Sequence, residues 1–270
     1  MSGSILNNVS AMNASRQLGI TGQGLQQTIQ RLTTGKRINK ASDDAAGLAI
    51  ANKLGADVRI AGQGQRNAND GISYLQVADG VLDEITNLLT RAAELAQQAS
   101  SGTSGADSGT GKAALNAEFQ NIISTIADIE GKTVFNGASV FNAASALAVA
   151  VGGFTTVNVT VGTFNTLSAS TDSLLFAASA SAAAGGINTA LNAVSALRGT
   201  IGATQQQLTS LASSLGIQME NFTAAQSQIQ DANVSNEVVA LSKFQVLNQS
   251  GISALGQANQ ASQSILKLLQ

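Results

Sequence analysis

Few residues in this chain are equipped for chemistry, and the adjacent carboxylates Asp43 and Asp44 are the first to consider. A carboxylate pair can divide general acid and base roles when the surroundings push the two pKa values apart. Ser42-Asp43-Asp44, however, directly precedes an apolar run that opens at Ala45. Acidic side chains at that point satisfy the free N–H groups of a helix N-terminus, so capping is the expected role. The stretch GADSGTGKA, Gly105 to Ala113, glances at a phosphate-binding loop. Yet Ala106 stands where the first glycine is required, and Ala113 where a hydroxyl must follow the lysine. Gly22-Gln23-Gly24 and Gly62-Gln63-Gly64 begin a dinucleotide fingerprint without completing it, and neither follows a strand, so both are expected to be coincidental.

The missing residue types decide more. The chain has no Cys, no His, no Pro and no Trp, with one Tyr and eight Phe in 270 residues. Without imidazole or thiolate, zinc hydrolases, cysteine enzymes and Ser-His-Asp hydrolases are excluded, and no cofactor or metal is expected. Without cysteine there is no disulfide framework, so stability must come from packing or from assembly. Fourteen basic residues face sixteen acidic ones with no basic stripe, which leaves no footprint for nucleic acid. No apolar run approaches the roughly 20 residues of a bilayer span, and the amino terminus lacks the basic and apolar regions of a secretory signal. The chain is expected to be neither an enzyme nor a membrane protein.

Such a composition turns attention to the elements themselves. Leu75, Ala78, Leu82, Ile85, Leu89, Ala92, Ala96 and Ala99 follow steps of three and four, the spacing of a heptad seam. A second seam runs through Leu115, Phe119, Ile122, Ile126 and Ile129, and the glycine- and serine-rich SSGTSGADSGTG between them predicts two antiparallel helices. The longest runs from Ala190 through Val194, Leu197, Ile201, Thr204, Leu208, Leu211, Leu215, Gln218, Phe222 and Ala225 to Ile229. Periodicity sustained this far argues for an extended coiled-coil bundle, and a helix from about Asp44 to Ala99 would span roughly 80 Å. Near residues 145–162 the period changes to two. Leu147, Val149 and Val151, then Gly152-Gly153, then Val157, Val159 and Val161 predict a β-hairpin with a two-residue turn. Ser168 to Gly186 has no clear period and is expected to be an exposed connection.

The two ends differ from the middle. At 100° per residue the last 37 residues place Val234, Val238, Leu241, Phe244, Leu247, Ile252, Leu255, Ala258, Ile265, Leu266 and Leu269 on one broad stripe. Val239, Val246, Ala254, Ala261 and Leu268 form a thinner stripe opposite. At the other end Ile5, Val9, Met12 and Ile20 lie on one side of a helix, with Leu18, Leu25, Ile29 and Leu32 on another, and Gly19, Gly22 and Gly24 weaken it. Both ends carry more apolar surface than one chain can cover, which predicts segments that order on assembly. The expected polymerisation stripe is Ile5, Val9, Met12, Leu241, Phe244, Leu255, Ile265, Leu266 and Leu269.

RLTTGKRINKASDDAAGLAIANKL (Arg31 to Leu54) and QRNANDGISYLQVADGVLDEI (Gln65 to Ile85) resemble the N-terminal signature of the bacterial flagellins. SALRGTIGATQQQL (Ser195 to Leu208) and NQSGISALGQANQASQSILKLLQ (Asn248 to Gln270) resemble its C-terminal signature. The resemblance covers about residues 1–142 and 187–270. It implies a mainly α protein, a long antiparallel coiled-coil bundle with a small β-hairpin and with the two terminal helices paired. On this chain the inner-tube domain would be residues 1–43 plus 233–270 and the spoke domain 44–232, with no large outer domain.

The same resemblance implies a structural subunit that polymerises with itself into an extracellular flagellar filament, with a hook–filament junction protein as the alternative. It further implies export unfolded through the flagellar type III apparatus, an export chaperone on the C-terminal segment, and hook-associated and cap proteins at the filament ends. It also implies recognition by Toll-like receptor 5, for which TRAAELAQQ supplies Arg91 and Leu95, and LNAEFQNI supplies Glu118. An i, i+4 pair shares one helix face, so these three would form a single patch.

Overall fold

A computed structural model describes residues 8–101, 109–141, 146–152, 156–161, 174–175 and 177–268. Among them the chain forms five long helices and two small antiparallel sheets. The helices are α1 (Val9–Thr34), α2 (Ala45–Ser100), α3 (Gly109–Lys132), α4 (Ala177–Gln230) and α5 (Val234–Leu268). Strands β1 (Val134–Phe135) and β2 (Ala138–Ser139) make one sheet, β3 (Ala146–Ala150) and β4 (Thr156–Thr160) the other. The chain divides into two compact units, Met1–Val58 with Glu220–Gln270, and Arg59–Met219.

In the second unit the heptad seams become the core. All eight seam residues from Leu75 to Ala99 on α2 are buried, as are Phe119, Ile122 and Ile126 on α3 and Ala190, Val194, Ile201 and Leu208 on α4. Helix α4 starts earlier than its sequence suggests. Ala177 onward is helical, and Ala180, Ala183 and Ile187 extend the seam, so the second half of the expected connection Ser168 to Gly186 is helix. Alanine, the strongest helix former, hides this because its pattern of burial leaves no mark in a run of Ala and Ser. Arg198 ties α4 to α2, its Nε donating to Asp79 at 2.9 Å and its Nη1 to Asp83 at 2.8 Å.

The predicted hairpin is present, but its turn is longer than two residues. Ala150 pairs with Thr156, so five residues, 151–155, connect the strands. Val149, Val151, Val157, Val159 and Val161 are buried, whereas Leu147, expected on the same inward face, is 39% exposed. It lines an open cavity of about 340 Å³ with Tyr74, Phe135 and Asn136. The turn leans on α2 at Gly64, where a Cβ would stand 2.5 Å from the Gly152 nitrogen and 3.1 Å from its Cα. The second glycine of Gly62-Gln63-Gly64 is therefore a close-approach site between two backbones. The β1–β2 hairpin turns on Asn136-Gly137, both at positive φ (49° and 80°), the two-residue geometry that Asn-Gly favours.

In the first unit the capping expectation holds for one carboxylate. Asp44 Oδ1 accepts the Gly47 N–H at 2.8 Å and caps α2. Asp43 instead closes the preceding turn, its Oδ2 accepting the N–H groups of Asn39 and Lys40, each at 3.0 Å. Those two donors hold its carboxyl below the usual range. Helix α1 is capped by Asn8, whose Oδ1 accepts the Ala11 N–H, and ends at Gly35 in the left-handed region. Beyond it Lys36 bridges Asp231, Arg37 N donates to Gln230 O at 2.7 Å, and Ala232 N donates to Gly35 O at 2.9 Å. Ile38 is buried beside this clasp.

Candidate assembly surface

In the terminal segments, expected to order on assembly, helices α1 and α5 each supply the other's partner. Helices α1 and α5 run antiparallel. Asn8 Nδ2 donates to Ala258 O at 3.0 Å near one end, and Arg31 pairs with Glu237 at 3.4 Å near the other. Between them the Phe244 ring fills the notch over Gly24, where a Cβ would lie 2.6 Å from its Cζ. Gly251 leaves similar room for Leu18. Thus Gly24, which costs α1 helix propensity, is what lets the pair close. Gly22-Gln23-Gly24 accordingly has a packing role too.

This contact uses one face of each helix. Leu241, Phe244, Leu255 and Ala258 are half-buried, while Val234, Val238, Val239, Val246, Leu247 and Ile252 of α5 are exposed. On α1, Val9, Met12, Ile20 and Ile29 are 47–66% exposed. The expected stripe is therefore split. Its Leu241, Phe244 and Leu255 belong to the α1–α5 contact, and its Val9 and Met12 face outward. Ile5 and Leu269 lie outside the described residues, as do the side chains of Ile265 and Leu266. Val239 and Val246, assigned by periodicity to the thinner opposite stripe, are among the most exposed large apolar side chains of α5.

The chemistry of this surface is burial. Covering a half-exposed Val, Ile or Met contributes on the order of 1 kcal/mol. A contact that covers three or four of them cannot alone offset the roughly 4–15 kcal/mol of lost freedom on association. Faces on both sides of a helix pair suit several neighbours at once. Among the described residues no group of acidic side chains could hold a metal ion, and no helix is long and apolar enough to cross a membrane.

A second, polar patch lies on α2 and α3. Arg91 Nη2 and Nε donate to Glu118 Oε1 at 2.9 and 3.1 Å, and Nη1 donates to Glu94 Oε2 at 3.0 Å. All three side chains are about half exposed. Leu95 shares the Arg91 stretch of α2 but is 1% exposed, within the core. The structure brings Arg91 and Glu118 together at the surface and puts Leu95 beneath it. Glu94 is a member of the patch that sequence reasoning missed, though its i, i+3 spacing from Arg91 was the available signal.

The comparisons agree with this architecture. Residues 5–146 match the bacterial flagellin N-terminal helical region and residues 184–269 the bacterial flagellin C-terminal helical region, leaving no large outer domain between them. A flagellin of Halalkalibacterium halodurans is 36% identical, over 98% of this chain and 99% of its own length. A flagellin of Treponema pallidum is 34% identical and one of Bacillus subtilis 30%, each over 98% of this chain and 99% of its own. A chain of paired terminal helices with outward apolar faces and this similarity along nearly its whole length belongs to the bacterial flagellins, which are structural proteins, not enzymes, and which polymerise with themselves into the flagellar filament outside the cell and so serve motility.

Proposed function

We propose that the α1–α5 pair is the polymerisation element, that residues 1–43 with 233–270 line the inner tube of the filament, and that residues 44–232 form its spoke. The observation that carries this reading is the outward apolar face of the pair, above all Val239 and Val246. Aspartate at either position leaves the α1–α5 contact intact but puts an unpaired charge into a subunit contact, at a cost of several kcal/mol. Val239→Asp and Val246→Asp are expected to give monomers of unchanged helicity that do not elongate filament seeds. Normal elongation followed by electron microscopy would refute the assignment.

Export in an unfolded state through the flagellar type III apparatus, with a chaperone on the C-terminal segment, suits a chain without disulfides or slow proline isomerisation. Hook-associated and cap proteins would then bound the filament it forms. The exposed Arg91–Glu118 pair favours one further reading, recognition of the monomer by Toll-like receptor 5. In it Arg91 and Glu118 make the contact, and Leu95 holds the helix surface from below. A receptor-reporter assay is expected to lose signal with Arg91→Ala and with Glu118→Ala. Full signalling by both variants would defeat this reading and leave the filament reading untouched.

A further inference from the structure

The chain contains a single Asn-Gly dipeptide, Asn136-Gly137, and the fold sets it at the tip of the β1–β2 hairpin. We propose that Asn136 is a site of spontaneous covalent modification, deamidating through a cyclic imide formed with the backbone nitrogen of Gly137.

Several observations leave the two groups open to this reaction. Both residues are exposed. Asn136 is the only non-glycine residue at positive φ among those described. No hydrogen bond holds its carboxamide, and none holds the Gly137 N–H, among the described residues. Gly137 has no side chain to obstruct the approach, and nothing beyond its chain neighbours lies within 4 Å of where a Cβ would be. The remaining acidic counterparts, Asp70-Gly71 and Asp79-Gly80, lie inside α2, where the glycine N–H groups are committed to the helix.

The step balances without any outside oxidant or reductant. Gly137 N loses its proton to solvent base and attacks Asn136 Cγ. A C–N bond forms, the Cγ–Nδ2 bond breaks, and ammonia leaves. Water then opens one of the two imide carbonyls, giving either Asp or a β-linked isoaspartate at position 136. The net change consumes one water and releases one ammonia.

The isoaspartyl product adds a methylene to the main chain inside a turn whose register, Phe135 opposite Ala138, has no spare residue. Phe135 stands edge-on to Tyr74 with ring centroids 5.6 Å apart, and the Tyr74 hydroxyl donates to Val140 O at 3.0 Å, just past the hairpin. Loosening the turn therefore loosens the surroundings of Tyr74. It also places a second carboxylate on the cavity that Asp70 already lines. Tyr74 is the chain's only tyrosine and there is no tryptophan, so its emission reports this hairpin alone.

The full-length protein is incubated at neutral and mildly alkaline pH, digested, and read by peptide mass spectrometry with isoaspartyl methyltransferase labelling. The 134–139 segment is expected to convert first among all asparagine-containing segments, faster at the higher pH, with Tyr74 emission changing in step. Asn136→Gln is expected to abolish the methyltransferase label there. Earlier conversion of a helical asparagine such as Asn67 or Asn69 would overturn the proposal, and that ranking within the wild-type chain stands even if the variant does not fold. Unchanged Tyr74 emission in fully converted protein would overturn the loosening of the hairpin.

Discussion

At Gly64 two backbones meet with no room for a single methyl group, and two residues earlier on α2 Gly62 faces only the end of the Met219 side chain at 3.6 Å. These two glycines, separated only by Gln63, should respond oppositely to the same substitution. Gly62→Ala gains about 1 kcal/mol of helix propensity with ordinary van der Waals contact. Gly64→Ala gains the same propensity but forces the Val151–Gly152 backbone away from α2, an overpacking cost of about 1–3 kcal/mol. Urea unfolding is expected to place the Gly64→Ala variant about 2 kcal/mol below the Gly62→Ala variant. Equal stabilities would show that the turn yields freely. None of this was legible in the sequence, because the backbone that Gly64 meets comes from a remote hairpin and a glycine carries no side-chain pattern to announce it. The carboxylates were half legible. Asx before a helix signals a cap, but which of Asp43 and Asp44 caps depends on the turn geometry that Asn39 and Lys40 supply.

Elements were read best where side-chain size made their period visible. The Leu75 to Ala99 seam is buried throughout because Leu and Ile recur often enough to fix the phase of the intervening alanines. Where the residues are only Ala, Ser and Gly, as from Ala177 to Gly186, the same helix carries no visible phase and its start was lost. The Asn136-Gly137 turn was missed for the opposite reason. Its local signal is strong, but the strands it joins are two residues each, too short to alternate. The two units also differ in what a core truncation should do. Leu82 is fully buried, so Leu82→Ala is expected to cost the Arg59–Met219 unit about 2–5 kcal/mol. Phe244 is half-buried between two helices that share only one face, so Phe244→Ala costs about 1–2 kcal/mol and acts locally. Hydrogen exchange should show α1 and α5 losing protection together in the Phe244 variant while α2 near Leu82 keeps its own. Loss confined to α5 would contradict the pairing.

On the scale of the whole molecule, the sequence held the fact of surplus apolar surface at both ends but not its division. A lone helix with two stripes does not say which stripe meets its own chain. Here Phe244 entering the notch at Gly24 settles the orientation of α5 and turns Val239 and Val246 outward. The same interdependence sets the outcome of removing residues 233–270. That truncation deletes α5 entirely, and with it Glu237, the partner of Arg31, and Phe244, the filler of the Gly24 notch. Helix α1 then has no neighbour for its inner face, and its glycines lower its own propensity further. The helical signal is therefore expected to fall by more than the 35 residues of α5, because most of the 26 residues of α1 are lost as well. The Arg59–Met219 unit keeps its seams and its Arg198 clip to Asp79 and Asp83, so the truncated chain should stay soluble and largely helical. It should add to neither end of wild-type filament seeds. Circular dichroism and seeded growth read both outcomes on one preparation. A helicity loss limited to α5 would separate the fates of the two terminal helices, and any elongation by the truncated chain would mean that the polymer contact lies elsewhere in the subunit.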